Sequence, residues 1–402
     1  MASVCFYFQV HQPYRLKEYS FFHIGRDYVY ENHDLNLQVL NKVADKCYVK
    51  ANALLLQLIN KHKGEFKVSF SISGLALEQF EQFRPDVLAS FQALAKTGCV
   101  EFLGETYYHS LAALYSAEEF QRQVDLHKEK IKALFGVEPT VFRNTELIYN
   151  NNLARYIQKQ GYVGLLCEGA ERLIAANPAN KVYHAETNKS IPVLARNYTL
   201  SDDISFRFSD QNWKEWPLSA AKFSNWLQEI AVEKDDVLNL FMDYETFGEH
   251  QWEETGIFEF LNDLPEQVLT NTSLGFKTPS EVFKSYQANY PITAPETISW
   301  ADAERDMSAW QGNAMQHECL EKIYEMEESV KATGNEALIH CWSKLQASDH
   351  FYYMSTKHSS DGAVHSYFSP YNTPHDAYLY YMNIIADFEI RVNKSLKVKS
   401  EM

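Results

Sequence analysis

No stretch of this sequence strings together the ~18 apolar residues that a membrane-crossing helix requires, so no membrane partner is expected. The N-terminus has no basic segment ahead of an apolar run and no small-residue cleavage site, and no secretory leader is expected. Positive charge is scarce: 37 Lys and Arg face 53 Asp and Glu, for a net charge of −16. Such a surface repels phosphates, which argues against nucleic acid and fits a neutral substrate. Paired cysteines are missing as well. Cys5, Cys47, Cys99, Cys167, Cys319 and Cys341 are irregularly spaced, with no C-x-x-C. In a chain this long they read as free thiols in a reducing, cytoplasmic compartment. Repeats, low-complexity tracts and long linkers are also lacking.

What the chain has in quantity is aromatic surface: 25 Tyr, 25 Phe and 7 Trp among 402 residues. Most of it is expected in the core, and some on sugar-stacking faces. Strand-like runs at Val4–Val10, Lys67–Ile72, Val100–Leu103, Thr140–Arg143, Val163–Leu166, Ile191–Leu194, Ile204–Arg207 and Val237–Met242 alternate with helix-length stretches. Leu35–His62, Ala76–Thr97 and Ser219–Val232 are three such helices. Arg84-Pro85 marks a break or a new first turn within the second. Ser116-Ala117-Glu118-Glu119 opens another helix with a capping pattern, and Gly136 closes it. The alternation predicts parallel strands with helical crossovers, in an open sheet or a barrel. Gly169–Trp216 reads as an elaborated loop region. Beyond Tyr290-Pro291 strand signals fade, and Glu318–Ala332, Asn335–Met354 and His375–Asn393 read as amphipathic helices. The expected organisation is an α/β region over 1–290 and a helical region over 291–402.

Acids stand where two apolar strands end. Val237–Met242 runs into Asp243-Tyr244-Glu245, and Thr140–Arg143 runs into Asn144-Thr145-Glu146. The C-terminal ends of parallel strands are where α/β folds and barrels carry their chemistry. His11 stands at the rim of the first strand, ahead of Pro13. Glu101 interrupts an apolar run, and either faces the lumen to bind something or pairs with a cation such as Arg143. Glu105, Tyr107 and His109 follow at that strand's polar end. His11, His109, Asp243 and His250 can be imagined around a metal, but no H-x-x-x-H or H-E-x-x-H spacing supports one.

These segments together resemble glycoside hydrolase family 57. His11-Gln12-Pro13, Gly98–Leu111, Phe142–Leu147 and Met242–Gly248 are similar to the family's first four regions, in order, and Trp300–Trp310 to its fifth. The resemblance implies an α/β fold: an incomplete (β/α)7 barrel followed by a C-terminal helical bundle. It implies an α-glucan or maltooligosaccharide substrate and catalysis without metal or organic cofactor, closest to the α-amylase-like branch. It makes Glu146 the nucleophile and Asp243 the general acid/base.

The chemistry of retention requires such a pair, one carboxyl ionised and one protonated. Asp243 is the one expected to be raised in pKa, with Glu146's charge contributing. His11, Glu101, His109 and Glu245 are candidates for sugar hydroxyls, and Trp310 for stacking on a glucose face. Three other readings stand beside hydrolysis: a 4-α-glucanotransferase or branching enzyme using the same pair, a metal-dependent hydrolase or deacetylase, and a glucan-binding protein without turnover. The sequence specifies no oligomeric state.

Overall fold

A computed structural model describes residues 1–186, 191–270, 273–357 and 369–400. Its strands are β1 (Ala2–Val10), β2 (Val68–Ile72), β3 (Val100–Phe102), β4 (Val141–Arg143), β5 (Gly164–Cys167), β6 (Val182–Ala185), β7 (Pro192–Ala195), β8 (Val237–Asp243), β9 (Leu274–Phe276) and β10 (Tyr290–Ile292). One sheet has the order β3-β2-β1-β8, with β9 also beside β1; the other runs β10-β6-β7-β5-β4. Every pairing is parallel except β6 with β7. All nine residues of β1 are buried, as apolar strands covered on both faces must be.

The two sheets touch at two seams. At one, Gly104 N–H donates to Val141 O (2.9 Å) and Arg143 N–H to Gly104 O (2.8 Å). At the other, Asn197 N–H donates to Asn239 O (2.9 Å), and the Asn239 side chain donates to Ala195 O (2.9 Å).

Local signals place the crossover helices. The first is His33–Val43 continued through a π turn, Ala44–Tyr48, into Val49–Lys61. Pro85 begins a new helix, Pro85–Ala95, after Gly74–Phe83, because proline suits a first turn that needs no N–H. Ser116 caps Ala117–Phe135 by accepting from Glu119 N–H at 3.1 Å, and Gly136 ends it at φ +72°. Among the described residues no helix is long and apolar enough to cross a membrane.

Three differences from the sequence reading have physical causes. Ile204–Arg207 is not a strand: Asn197 caps a helix over Tyr198–Ser205, and four residues with two apolar positions are too few to fix a period. β6 lies unsuspected inside the elaborated stretch, folded back antiparallel on β7. β9 and β10 are three residues each, too short to show a period, and β10 sits where strand signals had faded.

The C-terminal helices Ala314–Glu325, Glu327–Thr333, Glu336–Lys344, Ser348–Tyr352 and Pro374–Ser400 are not an appendage. Trp310, Trp342, Tyr381 and Phe388 share one apolar core with Phe142, Leu165 and Tyr183 of the second sheet. The first sheet has its own core with its helices, around Phe6, Leu55, Phe70 and Leu240. Asp387 ties the last helix to the N-terminal loop, accepting from Gly25 N–H (2.5 Å) and Tyr30 Oη (2.6 Å). All six cysteines are free thiols, five of them buried.

Asp387→Ala leaves the Gly25 N–H and the buried Tyr30 hydroxyl without their acceptor. It is expected to lower stability by about 1–3 kcal/mol, read as a shift in urea midpoint.

Candidate active site

Just past β4 the backbone turns sharply, and Glu146 takes φ +57°, ψ +29°. A non-glycine residue keeps that left-handed conformation only where its surroundings enforce it. Here Trp300 does so twice: its backbone N–H donates to Glu146 O (3.1 Å) and its indole Nε1–H to Glu146 Oε2 (2.6 Å). His109 Nε2 meets the other oxygen, Oε1, at 2.8 Å. Burial opposes ionisation of Glu146. The His109 bond and charge, the Arg143 guanidinium and the Trp300 bond outweigh it and hold the carboxyl below its ordinary range.

His109 is itself at φ +52° and fully buried, with Glu105 Oε2 3.2 Å from its Nδ1. Burial disfavours its charge, but bonds to two carboxylates raise its pKa to about 9, so it is an imidazolium at neutral pH. His11 stacks on it, ring centres 3.9 Å apart. Burial and the His109 charge lower the His11 pKa and keep that ring neutral. Its Nε2 lies 2.9 Å from Asp349 Oδ2 and its Nδ1 2.7 Å from Ser73 Oγ. A neutral ring therefore donates to Asp349 and accepts from Ser73. Asp349 belongs to the Ser348–Tyr352 helix, so the C-terminal region reaches the site directly.

Arg143 does not hydrogen-bond Glu146. It is fully buried over the rings of Trp300 (5.2 Å) and Tyr7 (5.8 Å), with Glu105 Oε2 at 3.8 Å. Arg196, after β7, stands over the Trp300 ring at 5.7 Å and binds Phe241 O and Glu168. Two guanidinium groups thus face the indole ring while its N–H points at Glu146.

Asp243 ends β8, opposite Gln9 of β1, and is the one residue of that strand that is not fully buried. Withdrawal from water, then the charge of Glu146, push its carboxyl up to about 7 against the partial relief of Arg143, His109 and Arg196. The site thus sets a carboxyl favoured in its ionised form beside one that keeps its proton up to about pH 7.

Of the residues singled out in the sequence, His11, His109, Glu146 and Asp243 come together. Three others do not. Glu101 accepts from Ser280 N–H (2.9 Å), pairing with neither Arg143 nor the site, because β3 turns its side chain toward the Pro279–Ser285 helix. Trp310 is 1% exposed and packs on Tyr352 inside the C-terminal core, out of reach of a sugar. Glu245 does not follow Asp243 in extended chain: Tyr244–Thr246 is a 3-10 turn, which rotates Glu245 onto Tyr48. Trp300, Arg196, Glu105 and Asp349 enter the site with no role foreseen. Glu105 and Trp300 lay inside the recognised segments; Asp349, 338 residues from His11, carried no local signal.

Among the described residues, the group with metal-ligand reach is Glu233, Asp235 and Asp236. Lys181 Nζ lies 2.5, 2.6 and 2.8 Å from their carboxylates and occupies that position with its own charge.

The Asp243 carboxyl binds its proton more tightly folded, at about 7, than at its ordinary 3.8. The folded state therefore loses stability relative to an Asp243→Asn variant as pH rises from about 4 to 7, on the order of 1.4 kcal/mol per unit. The expected stability gap opens in favour of Asn over that window and is flat above it; unfolding midpoints from pH 3.5 to 8.5 measure it.

Residues 5–295 match the profile of Glycosyl hydrolase family 57. A Methanocaldococcus jannaschii protein described as "Putative alpha-amylase" is 43% identical, over 99% of this chain and 86% of its own length. The GH57-type branching enzyme of Pyrococcus horikoshii shares the fold at TM-score 0.69 and 15% identity, with 97% of this chain and 94% of that one covered. The 4-alpha-glucanotransferase of Thermococcus litoralis does so at 0.64 and 17%, with 87% of this chain covered but only 56% of that one. The strand-end acids thus stand in a family setting: this chain is an enzyme of glycosyl hydrolase family 57.

Proposed function

We propose that the protein is a retaining, α-amylase-like glycoside hydrolase that cleaves α-1,4 linkages of α-glucans or maltooligosaccharides through a covalent glycosyl-enzyme. The observation that carries this reading is the unlike setting of two strand-end carboxyls: Glu146 is bonded by His109 and Trp300, which favours its ionised form, while desolvation and the charge of Glu146 favour the proton on Asp243. Glu146 attacks the anomeric carbon while Asp243 gives its proton to the departing glycosidic oxygen. Asp243, now ionised, takes a proton from water, whose oxygen displaces Glu146 from the same carbon.

His11 and His109, expected to reach sugar hydroxyls, have both ring nitrogens bound to protein groups, and their proposed role is to set the charge around Glu146, with Trp300 fixing its other oxygen. The architecture read here is an incomplete (β/α)7 barrel over 1–290 with a helical bundle over 291–402; the two seams between the sheets support the closure. Free thiols fit a cytoplasmic setting. The alpha-amylase description of the 43% identical relative favours water as acceptor. A sugar hydroxyl in its place would make the same pair a 4-α-glucanotransferase or a branching enzyme.

Glu146→Ala and Asp243→Ala are each expected to lower maltoheptaose turnover by about 10²–10⁴-fold or more, with circular dichroism unchanged. Wild-type-like turnover in either would sink the assignment. The rate should fall on the alkaline side around pH 7, as Asp243 loses its proton, and on the acid side below pH 4.5, as Glu146 gains one. Products from maltoheptaose with and without added glucose report the acceptor: shorter sugars alone mean hydrolysis, longer ones transfer, branched ones branching.

A further inference from the structure

The helix that crosses over after β1 is interrupted at the place where it meets the loop beyond Asp243. Residues Ala44–Tyr48 form a π turn, an irregularity that costs helix hydrogen-bond geometry and concentrates at functional sites. Its two last side chains both go to that loop. Cys47 Sγ lies 3.2 Å from Tyr244 O, and the Tyr48 hydroxyl donates to Glu245 Oε1. One helical turn on, Asn52 Oδ1 accepts from the Tyr244 hydroxyl at 2.7 Å. Gly248, at φ +111°, lies so close that a Cβ there would stand 2.1 Å from Lys46 O. Lys42 and Lys46 reach Glu249 at 2.5 and 3.6 Å.

A third element joins. Gln12 Nε2 donates to the Tyr48 hydroxyl at 3.1 Å, and Gln12 is next to His11. Glu245, Tyr48 and Gln12 therefore connect the loop leaving β8 with the segment leaving β1. One segment carries Asp243. The other carries His11, stacked on the imidazolium that holds Glu146.

Resting on the functional reading above, we propose that Glu245 is a positioning residue: with Tyr48 and Gln12 it holds Asp243 at the height and angle from which its proton reaches the glycosidic oxygen, and it makes no contact with the sugar. The groups around its carboxyl are Tyr48 and Cys47 from the π turn, Gln12 from the β1 end, and Asp243 and Tyr244 from its own segment. None is a cation. Burial, and then the charge of Asp243 once that carboxyl ionises, push Glu245 up to about 8. A neutral carboxyl at this point does not compete with Glu146 for the imidazolium.

A misplaced acid has a distinctive signature. It slows departure of a poor leaving group, such as a sugar hydroxyl, and hardly affects a leaving group that needs no proton. Glu245→Gln keeps the shape, and Tyr48→Phe keeps the ring in its packing on Phe80 and Tyr244. On maltoheptaose both variants are expected to lose about tenfold to a hundredfold in kcat, with KM within roughly twofold. On a 4-nitrophenyl maltooligoside the first-turnover burst of 4-nitrophenol should stay within about threefold of wild type, since that phenol leaves unaided. Equal losses on both substrates would mean a general structural role, and a raised KM with unchanged kcat would mean a direct sugar contact; either overturns the proposal, as does wild-type behaviour of both variants. Asp243→Ala in the same assay separates the two readings. If it too lacks the leaving-group dependence, the functional assignment fails; if it shows the dependence and Glu245→Gln and Tyr48→Phe do not, only the positioning role does.

Discussion

A buried imidazolium holds the site together. His109 sits between Glu105 and Glu146, and the two carboxylates raise its affinity for a proton above that of an ordinary histidine despite full burial. That one charge does several things at once. It favours the ionised form of Glu146, the form the proposed attack requires. The Glu146 charge so retained adds to desolvation in keeping Asp243 protonated. It also suppresses protonation of the stacked His11, which makes that ring a neutral donor to Asp349. The opposite pull on the two acids thus comes from where one positive charge is held and, first of all for Asp243, from its withdrawal from water.

Holding it there has conformational costs, which the surrounding structure supplies. His109 and Glu146 both sit at positive φ, conformations a free chain rarely adopts. Both are reached only because other segments meet them: the loop at Trp300 fastens Glu146 from one side, and the Ser348–Tyr352 helix receives the His109 carbonyl through Ser348 N–H at 2.9 Å. Arg143, buried against two aromatic rings, adds positive charge without a hydrogen bond of its own to either acid. The second core, shared by the C-terminal helices and the second sheet, keeps these contributors in register. The C-terminal helices are therefore part of the site as well as of the fold.

Much of this was legible in the linear chain, for physical reasons. A buried parallel strand has to be nearly all apolar, so an acid at its end is conspicuous; Glu146 and Asp243 stand out on that ground alone. Helix starts and stops announce themselves where a side chain must satisfy the backbone, as Ser116 and Pro85 do. The failures are equally physical. Three-residue strands such as β9 and β10 have no period to read, and Ile204–Arg207 was ambiguous until the Asn197 cap decided it. Extrapolating β8 through Glu245 failed because a single 3-10 turn changes which way every later side chain points. Trp310 and Trp300 are ten residues apart with the same chemistry, and only packing tells the buried one from the one beside Glu146.

The amino-acid order by itself determined the strand-end acids proposed to react, the alternating α/β framework that delivers strand ends to one place, and the family to which those strand ends belong. Tertiary structure alone decided their states. Whether a carboxyl attacks or donates depends on the charge and dielectric around it, and those come from residues far away in sequence: His109 and Trp300 for Glu146, Glu146 for Asp243, Asp349 for His11. Electrostatic environment falls off with distance in space, and sequence separation does not measure that distance.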